Sequence, residues 1–349
     1  MAGDILGTVI RDSLARPLRD LRISVTDRCN FRCPYCMPAE RYGASYTFLR
    51  RDEILTFEEI VRLARLFLRL GAEKIRLSGG EPLLREDLPV LVRSIAALPG
   101  VRDLAMTTNG QLLAPAARAL KEAGLGRLTV SLDSLDPDVF RRLNGRDFGP
   151  ERVLEGIAAA QGAGFGPLKI NAVVVRGVND ASVVDLASRF RGTGHIVRFI
   201  EFMDVGNLNR WRMDQVVPAA EILDRIGSVF PLVPAQPSYP GEVARRYRYA
   251  DGAGEIGIIA SVTMPFCGGC TRARLSTDGR LFTCLFGTRG EDLKGPLRAG
   301  ASDEELLGIA RGVWSRRDDR YSEERSPDAK PASGPSGGDR RIEMYQIGG

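Results

Sequence analysis

A chain of 349 residues, 44% hydrophobic and 27% charged, is long enough to bury a sizeable core and reads as a soluble globular protein. Its 49 basic and 44 acidic residues leave a formal charge of +5, a mild excess that suits a small polyanion as well as nucleic acid, and no aromatic–basic stripe marks the latter. The single histidine, His195, argues against a His-rich zinc site and a Ser-His-Asp mechanism and is expected to be structural, while six cysteines in two clusters of a long chain point to metal rather than disulfides.

The first thirty residues hold no long apolar run and no later stretch approaches membrane length. Neither a signal peptide nor a membrane contact is expected, and the expected compartment is cytoplasmic. Short β-rich runs then alternate with amphipathic stretches. The strand candidates are DLRISVT (20–26), KIRLSG (74–79), DLAMTTN (103–109), RLTVSLD (127–133), LKINAVVV (168–175) and HIVRFIEFM (195–203). Between them TFEEIVRLARLFLRLG (56–71) reads as a helix that Thr56 caps and Gly71 ends; REDLPVLVRSIAALPG (85–100) and LLAPAARALKEAG (112–124) are similar. Six βα units in a row predict an α/β fold, a parallel sheet with helices outside it. Six rather than eight favours a partial, open (βα)6 TIM-type barrel. The strand ends of such a barrel face one mouth, which would collect Thr26-Asp27, Ser78-Gly79-Gly80-Glu81, Thr107-Thr108-Asn109, Ser131-Leu132-Asp133 and Glu201-Phe202-Met203.

Beyond about 235 the pattern changes. Proline and glycine rise in PAQPSYPGE, and the short runs RYRYA, EIGIIAS and ARLSTDGRLFT follow, the last with the hairpin signal Asp278-Gly279. RSPDAKPASGPSGGDRR (325–341) reads as a disordered linker, and IEMYQIGG as a small structured tail. The expected organisation is a barrel over 1–235, a β-rich C-terminal extension over 236–324, and a flexible linker and Gly-Gly tail over 325–349.

Cys29, Cys33 and Cys36 are spaced Cys-x3-Cys-x2-Cys; Cys267, Cys270 and Cys284 are spaced Cys-x2-Cys-x13-Cys. Three thiolates with aromatic and arginine neighbours suit an iron–sulfur cluster. Zinc is the alternative, although it closes its shell with a fourth ligand that both triplets lack. Arg272 and Arg274 flank one residue, and in a strand that spacing points both side chains to the same face.

The first triplet, with Tyr35 just before its last cysteine, resembles the signature of the radical S-adenosylmethionine enzymes, and SGGEP (78–82) resembles that superfamily's Gly-Gly-Glu-Pro motif. Within it, LRISVTDRCNFRCPYCMP, KIRLSGGEPLLR, TTNG, VSLD, RFIEFMDVG, the second triplet, the TRAR after Cys270 and the terminal Gly348-Gly349 are similar to the GTP 3′,8-cyclases of molybdenum cofactor biosynthesis. The likeness runs from about 18 to 290 and resumes at the last residues. It implies two 4Fe–4S clusters, each held by three cysteines. One leaves an iron for S-adenosylmethionine and the other faces the guanine of GTP. It implies Tyr35, Gly79, Gly80, Glu81, Ser131 and Met203 at the S-adenosylmethionine site. It implies Arg22, Lys74, Arg76, Thr107, Lys169, Arg198, Arg272, Ala273 and Arg274 at GTP, with Arg272, Arg274, Gly348 and Gly349 at the reacting centre. Partners implied are GTP, an electron donor, the downstream cyclic pyranopterin monophosphate synthase and a second copy in a homodimer, with no nucleic acid. A peptide maturase of the same superfamily would carry more C-terminal cysteines and a peptide groove; a zinc-stabilised nucleic-acid binder would hold redox-silent metal and bind with strong salt dependence.

Overall fold

The computed structural model describes residues 9–239, 241–325 and 341–348. The expected linker lies almost wholly outside them, and so does Gly349. β1 (Asp20–Ser24), β2 (Lys74–Ser78), β3 (Asp103–Thr108), β4 (Arg127–Ser131), β5 (Lys169–Val174) and β6 (Ile196–Glu201) are the six expected strands. Along each, apolar residues alternate with polar ones. Leu21 and Ile23, Ile75 and Leu77, Leu128 and Val130, and Ile170 and Ala172 are buried in one continuous apolar core under the helices. The intervening residues face the opposite way, into the barrel. Strands of a parallel sheet that is buried on both faces read as unbroken apolar runs; here the inner face borders a cavity, so the alternation survives.

The helices α1 (Phe57–Arg69), α2 (Leu88–Ala96), α3 (Leu113–Glu122), α4 (Pro137–Asn144), α5 (Glu151–Gly162), α6 (Val183–Phe190) and α7 (Ala219–Gly227) cover the sheet. α1 starts at a capping box: the Glu59 N–H donates to Thr56 Oγ1 at 3.2 Å and the Thr56 N–H donates to Glu59 Oε2 at 2.8 Å. Its Ile60, Leu63, Ala64 and Phe67 recur at helical spacing and are buried, each large one stabilising the fold by about 1.5–3 kcal/mol. α2 begins at Leu88 rather than at 85, because Pro82–Leu84 form a separate 3-10 turn and Asp87 sits at φ 54°.

β7 (Leu232–Ala235), β8 (Arg245–Tyr249), β9 (Glu255–Ile259), β10 (Arg272–Leu275), β11 (Arg280–Phe282) and β12 (Glu291–Asp292) follow. The sheet runs β12-β11-β10-β1-β2-β3-β4-β5-β6-β9-β8-β7. β10 lies parallel to β1 and β9 parallel to β6. Two late strands therefore continue the barrel at both edges, and the described sheet stays open between them. β10 and β11 are the hairpin expected at Asp278-Gly279. α8 (Lys294–Arg298), α9 (Asp303–Ser315) and α10 (Tyr321–Glu324) follow, and α11 (Met344–Ile347) returns to lie on β1. His195 is buried and accepts the Leu168 N–H on Nδ1, the structural role expected of it. No described helix is long and apolar enough to cross a membrane.

Candidate active site

Strand register lays out the floor of the site. Arg22 stands between Arg274 and Arg76, and in the adjacent row Asp20 stands between Arg272 and Lys74. Lys169, Asn171 and Arg198 occupy the same inner face on β5 and β6. Like charges side by side across a sheet repel, so this arrangement needs an anion. Arg76 donates to Thr107 Oγ1 at 3.0 Å and Thr129 Oγ1 at 3.2 Å, and Arg198 Nε to Asn171 Oδ1 at 2.9 Å. Arg22 Nε is buried without a hydrogen-bond partner. Burial, then the neighbouring Arg274, pushes the Arg22 guanidinium well below its ordinary pKa. Burial and Arg198 bring Lys169 down to about 8. Asp20 stays ionised among them: burial would raise it, yet Lys74 at 2.8 Å and the arginines hold it at about 2. The cavity enclosed is about 360 Å³, lined by ten basic and five acidic side chains among the described residues, a size suited to a small ligand.

The second triplet closes one end of this cavity. Cys267 opens a 3-10 turn that Cys270 caps before β10, and Cys284 follows β11; all three line the cavity and none is in a disulfide. Arg272 donates Nε and Nη2 to Cys270 Sγ at 3.3 and 3.2 Å. Burial alone would raise the Cys270 thiol, but Arg272 and Arg317 override it and bring it down to about 6. Arg16 holds the Cys267 carbonyl at 3.0 Å and Arg317 the Cys270 carbonyl at 2.8 Å.

The first triplet sits in the loop after β1. Cys36 and Met37 both donate to the Cys33 carbonyl, and Arg32 donates to the Cys29 carbonyl at 2.6 Å. Asn109, at the end of β3, reaches Cys29 Sγ at 3.9 Å. Burial pushes the Cys29 thiol up to about 12; such a thiol keeps its proton in the free protein and releases it to solvent when a metal cation binds the sulfur. The SGGEP segment is zipped to this loop, with Gly80 N on Thr26 O and Glu81 N on Arg28 O, both at 2.8 Å. A Cβ at Gly80 would overlap the Arg28 carbonyl and lie 3.1 Å from Cys29 Cβ. Tyr35 donates its hydroxyl to Asp133 Oδ2 at 2.5 Å.

The tail joins the two neighbourhoods. Tyr345 packs edge-on against Tyr42 at 5.2 Å and its backbone hydrogen-bonds Cys36. Arg274 Nη1 then reaches the carbonyls of Ile347, at 3.3 Å, and Gly348. A side chain at Gly348, whose φ is +65°, would collide with Ser78 Oγ, the residue before Gly79-Gly80.

A GTP 3′,8-cyclase of Acidothermus cellulolyticus is 57% identical, covering 97% of this chain and 99% of its own. The chain belongs to the GTP 3′,8-cyclase family. A member from Xanthomonas campestris is 50% identical over the full length of both chains, and one from Staphylococcus haemolyticus is 48% identical over 91% of this chain and 93% of its own. The Radical SAM superfamily model matches residues 23–190 and Molybdenum Cofactor Synthesis C matches 195–323. The crystal structure of Streptococcus suis SuiB bound to S-adenosylmethionine shares the fold at 16% identity and TM-score 0.58, over 86% of this chain and 68% of that one.

For this cyclase family member, the donor sets fit iron–sulfur clusters. Each offers three free thiols, and with the chain's six cysteines shared three and three neither has a fourth cysteine. No three acidic, His or Cys side chains among the described residues converge on one metal position, and a cubane does not require it, since each thiolate binds its own iron. Of the residues implied at GTP, Arg22, Lys74, Arg76, Thr107, Lys169, Arg198, Arg272 and Arg274 all line the cavity, as does Met203. Ala273 departs from expectation: strand alternation buries its methyl in the core, so only its backbone faces a ligand. Glu81 also departs. It is fully buried and accepts from Leu83 N, Thr108 Oγ1 and Asn109 N, so its carboxylate fastens β2 to β3 and does not project into the mouth. Ser131 lies at the inner end of β4, beside Asn171. Sequence reasoning missed Asn171, Thr129 and Tyr239 as members of the site, and it placed Asp133 at the mouth without its role as the acceptor of the Tyr35 hydroxyl. The two-residue spacing from Lys169 and Ser131 marks the first two, and Asp133 was legible as a polar strand end.

Proposed function

We propose that this protein cyclises GTP to (8S)-3′,8-cyclo-7,8-dihydroguanosine 5′-triphosphate, the first step of molybdenum cofactor biosynthesis. Cys29, Cys33 and Cys36 would hold a 4Fe–4S cluster which, with S-adenosylmethionine bound, would supply hydrogen-atom abstraction at C3′ of GTP; formation of the C3′–C8 bond would then require one electron and one proton at the guanine, so that the donor would supply two electrons per turnover, one to cleave the cofactor and one to reduce the cyclised base. The chain supplies position and charge. Arg22, Arg76, Lys74, Lys169 and Arg198 grip the triphosphate, with Thr107 orienting Arg76. Cys267, Cys270 and Cys284 hold the second cluster at the guanine end. Arg274, tied to the tail carbonyls, fixes the ribose side. Tyr35, Gly79, Gly80, Ser131 and Met203 seat S-adenosylmethionine, and Glu81 and Asp133 hold that wall in place.

The observation that carries this reading is the cavity itself, where ten basic against five acidic side chains end on a cysteine triplet. A nucleoside triphosphate supplies the missing negative charge, and its base reaches the triplet. A one-electron donor and a downstream cyclic pyranopterin monophosphate synthase complete the scheme. A homodimer in the cytoplasm, where thiols stay reduced, is its expected setting. Anaerobically reconstituted protein should carry about eight irons per chain. On reduction with GTP and S-adenosylmethionine it should release 5′-deoxyadenosine and the cyclised nucleotide. Zinc without iron, or 5′-deoxyadenosine formed only when a peptide is added, would sink the assignment.

A further inference from the structure

Asp204 follows β6 at the barrel mouth and is 4% exposed. Its Oδ1 accepts Arg325 Nε at 3.0 Å; Arg325 Nη2 stands 2.8 Å away as an ion pair without hydrogen-bond geometry. Its Oδ2 accepts the Tyr321 hydroxyl and Arg341 Nη1, the latter at 3.2 Å, and its backbone carbonyl takes Arg341 Nη1 at 2.9 Å. Arg341 Nη2 also donates to the Tyr321 oxygen at 2.7 Å, with the guanidinium 4.4 Å from the Tyr321 ring centroid. Arg325 and Arg341 are the two residues that bracket 326–340. Both are fastened to one carboxylate.

The next residues extend the grip along the tail. Asn207 exchanges hydrogen bonds with the Arg341 backbone, at 2.6 and 3.1 Å, and donates to Glu343 Oε1 at 2.8 Å. From there α11 lays Tyr345 on Tyr42 and delivers Gly348 to Arg274.

We infer that Asp204 is the positioning residue of the C-terminal tail: by holding Arg325 and Arg341 together it starts the tail at a fixed point and sets Gly348 on Arg274 whatever the length of the intervening segment. The catalytic part of this inference rests on the proposed cyclase activity. A tethered end finds its site with an effective concentration that falls as the tether lengthens. A clamp at Asp204 removes that dependence, because the tether then starts at Arg341 and not at Arg325.

The test uses the full chain, reconstituted with iron, in two backgrounds: native Asp204 and Asp204→Asn. In each, residues 327–339 are left alone, halved, or doubled with Gly-Ser. With Asp204 in place, kcat should change less than about twofold across the three lengths; with Asp204→Asn it should fall about tenfold at native length and further when doubled. Chymotryptic cleavage after Tyr345, which lies in the tail that Asp204 anchors, should accelerate in Asp204→Asn whether or not the protein turns GTP over, which separates this inference from the activity. Iron should remain near eight per chain. Should Asp204→Asn not fold, Arg341→Met removes the same contact from the tail side and must reproduce both effects. Native kcat and native proteolysis in Arg341→Met, or equal length dependence in both backgrounds, would overturn the role.

Discussion

Arg272 and Arg274 look interchangeable in sequence, yet their guanidinium groups have different partners. Arg272 spends two donors on Cys270 Sγ, whereas Arg274 reaches forward to the tail carbonyls. Hydrogen bonds to charged groups are each worth about 1.5–3 kcal/mol. Arg274→Ala should therefore lower kcat/KM for GTP roughly 10–100-fold with all iron retained. Arg272→Ala should loosen the second cluster, because burial then pushes the Cys270 thiol back up, and iron should fall toward about four per chain. Iron counting with electron paramagnetic resonance checks both; equal iron loss, or none, in the two variants would refute the division. The pair's shared face was legible from the two-residue spacing. That the two guanidinium groups part company was not, because Cys270 lies two residues from Arg272 while the Gly348 carbonyl lies 74 residues from Arg274.

Among the elements, the strands were the most legible because their signal is local. KIRLS and DLRIS each alternate charge with aliphatics, and that period fixes which face meets the core. It also placed Arg22, Arg76 and Lys74 on one surface once the register was known. The roles of Gly80 and Glu81 were less legible, since both depend on contacts between separate elements. The resemblance implies Gly80 at the S-adenosylmethionine site. The fold adds a nearer cause: the Arg28–Cys29 loop runs directly over it. Gly80→Ala should push that loop aside and displace Cys29, while β10, β11 and the second triplet stay in place. Such a variant should lose about half of its roughly eight irons and still bind triphosphate. Full iron in Gly80→Ala would show that the loop has room to give.

For the molecule as a whole, the open barrel explains why a polar interior is tolerated. A closed eight-stranded barrel fills its centre with packed aliphatic side chains. Here β9 and β10 cap the two edges without meeting, and the interior becomes a charged cavity. The placement of β9 and β10 was not legible, because pairing of the chain's late strands with its first and sixth leaves no local mark. The cavity is a reservoir of unfavourable charge in the free protein, with Arg22 at its centre and its Nε unpartnered. Replacing a buried, uncompensated charge by an apolar side chain is often neutral or stabilising. Arg22→Met should therefore raise the thermal midpoint of the cluster-loaded, ligand-free protein, by about 1 kcal/mol of stability. Inorganic triphosphate at a hundredfold excess over its Kd should stabilise the parent protein by about 2.7 kcal/mol, because it neutralises the row Arg274-Arg22-Arg76. At that same concentration the stabilisation should shrink in Arg22→Met, since its Kd is weaker. A thermal-shift series with and without triphosphate reads both terms. If Arg22→Met is instead less stable without ligand and responds to triphosphate like the parent, then Arg22 serves the barrel's packing and the triphosphate lies elsewhere.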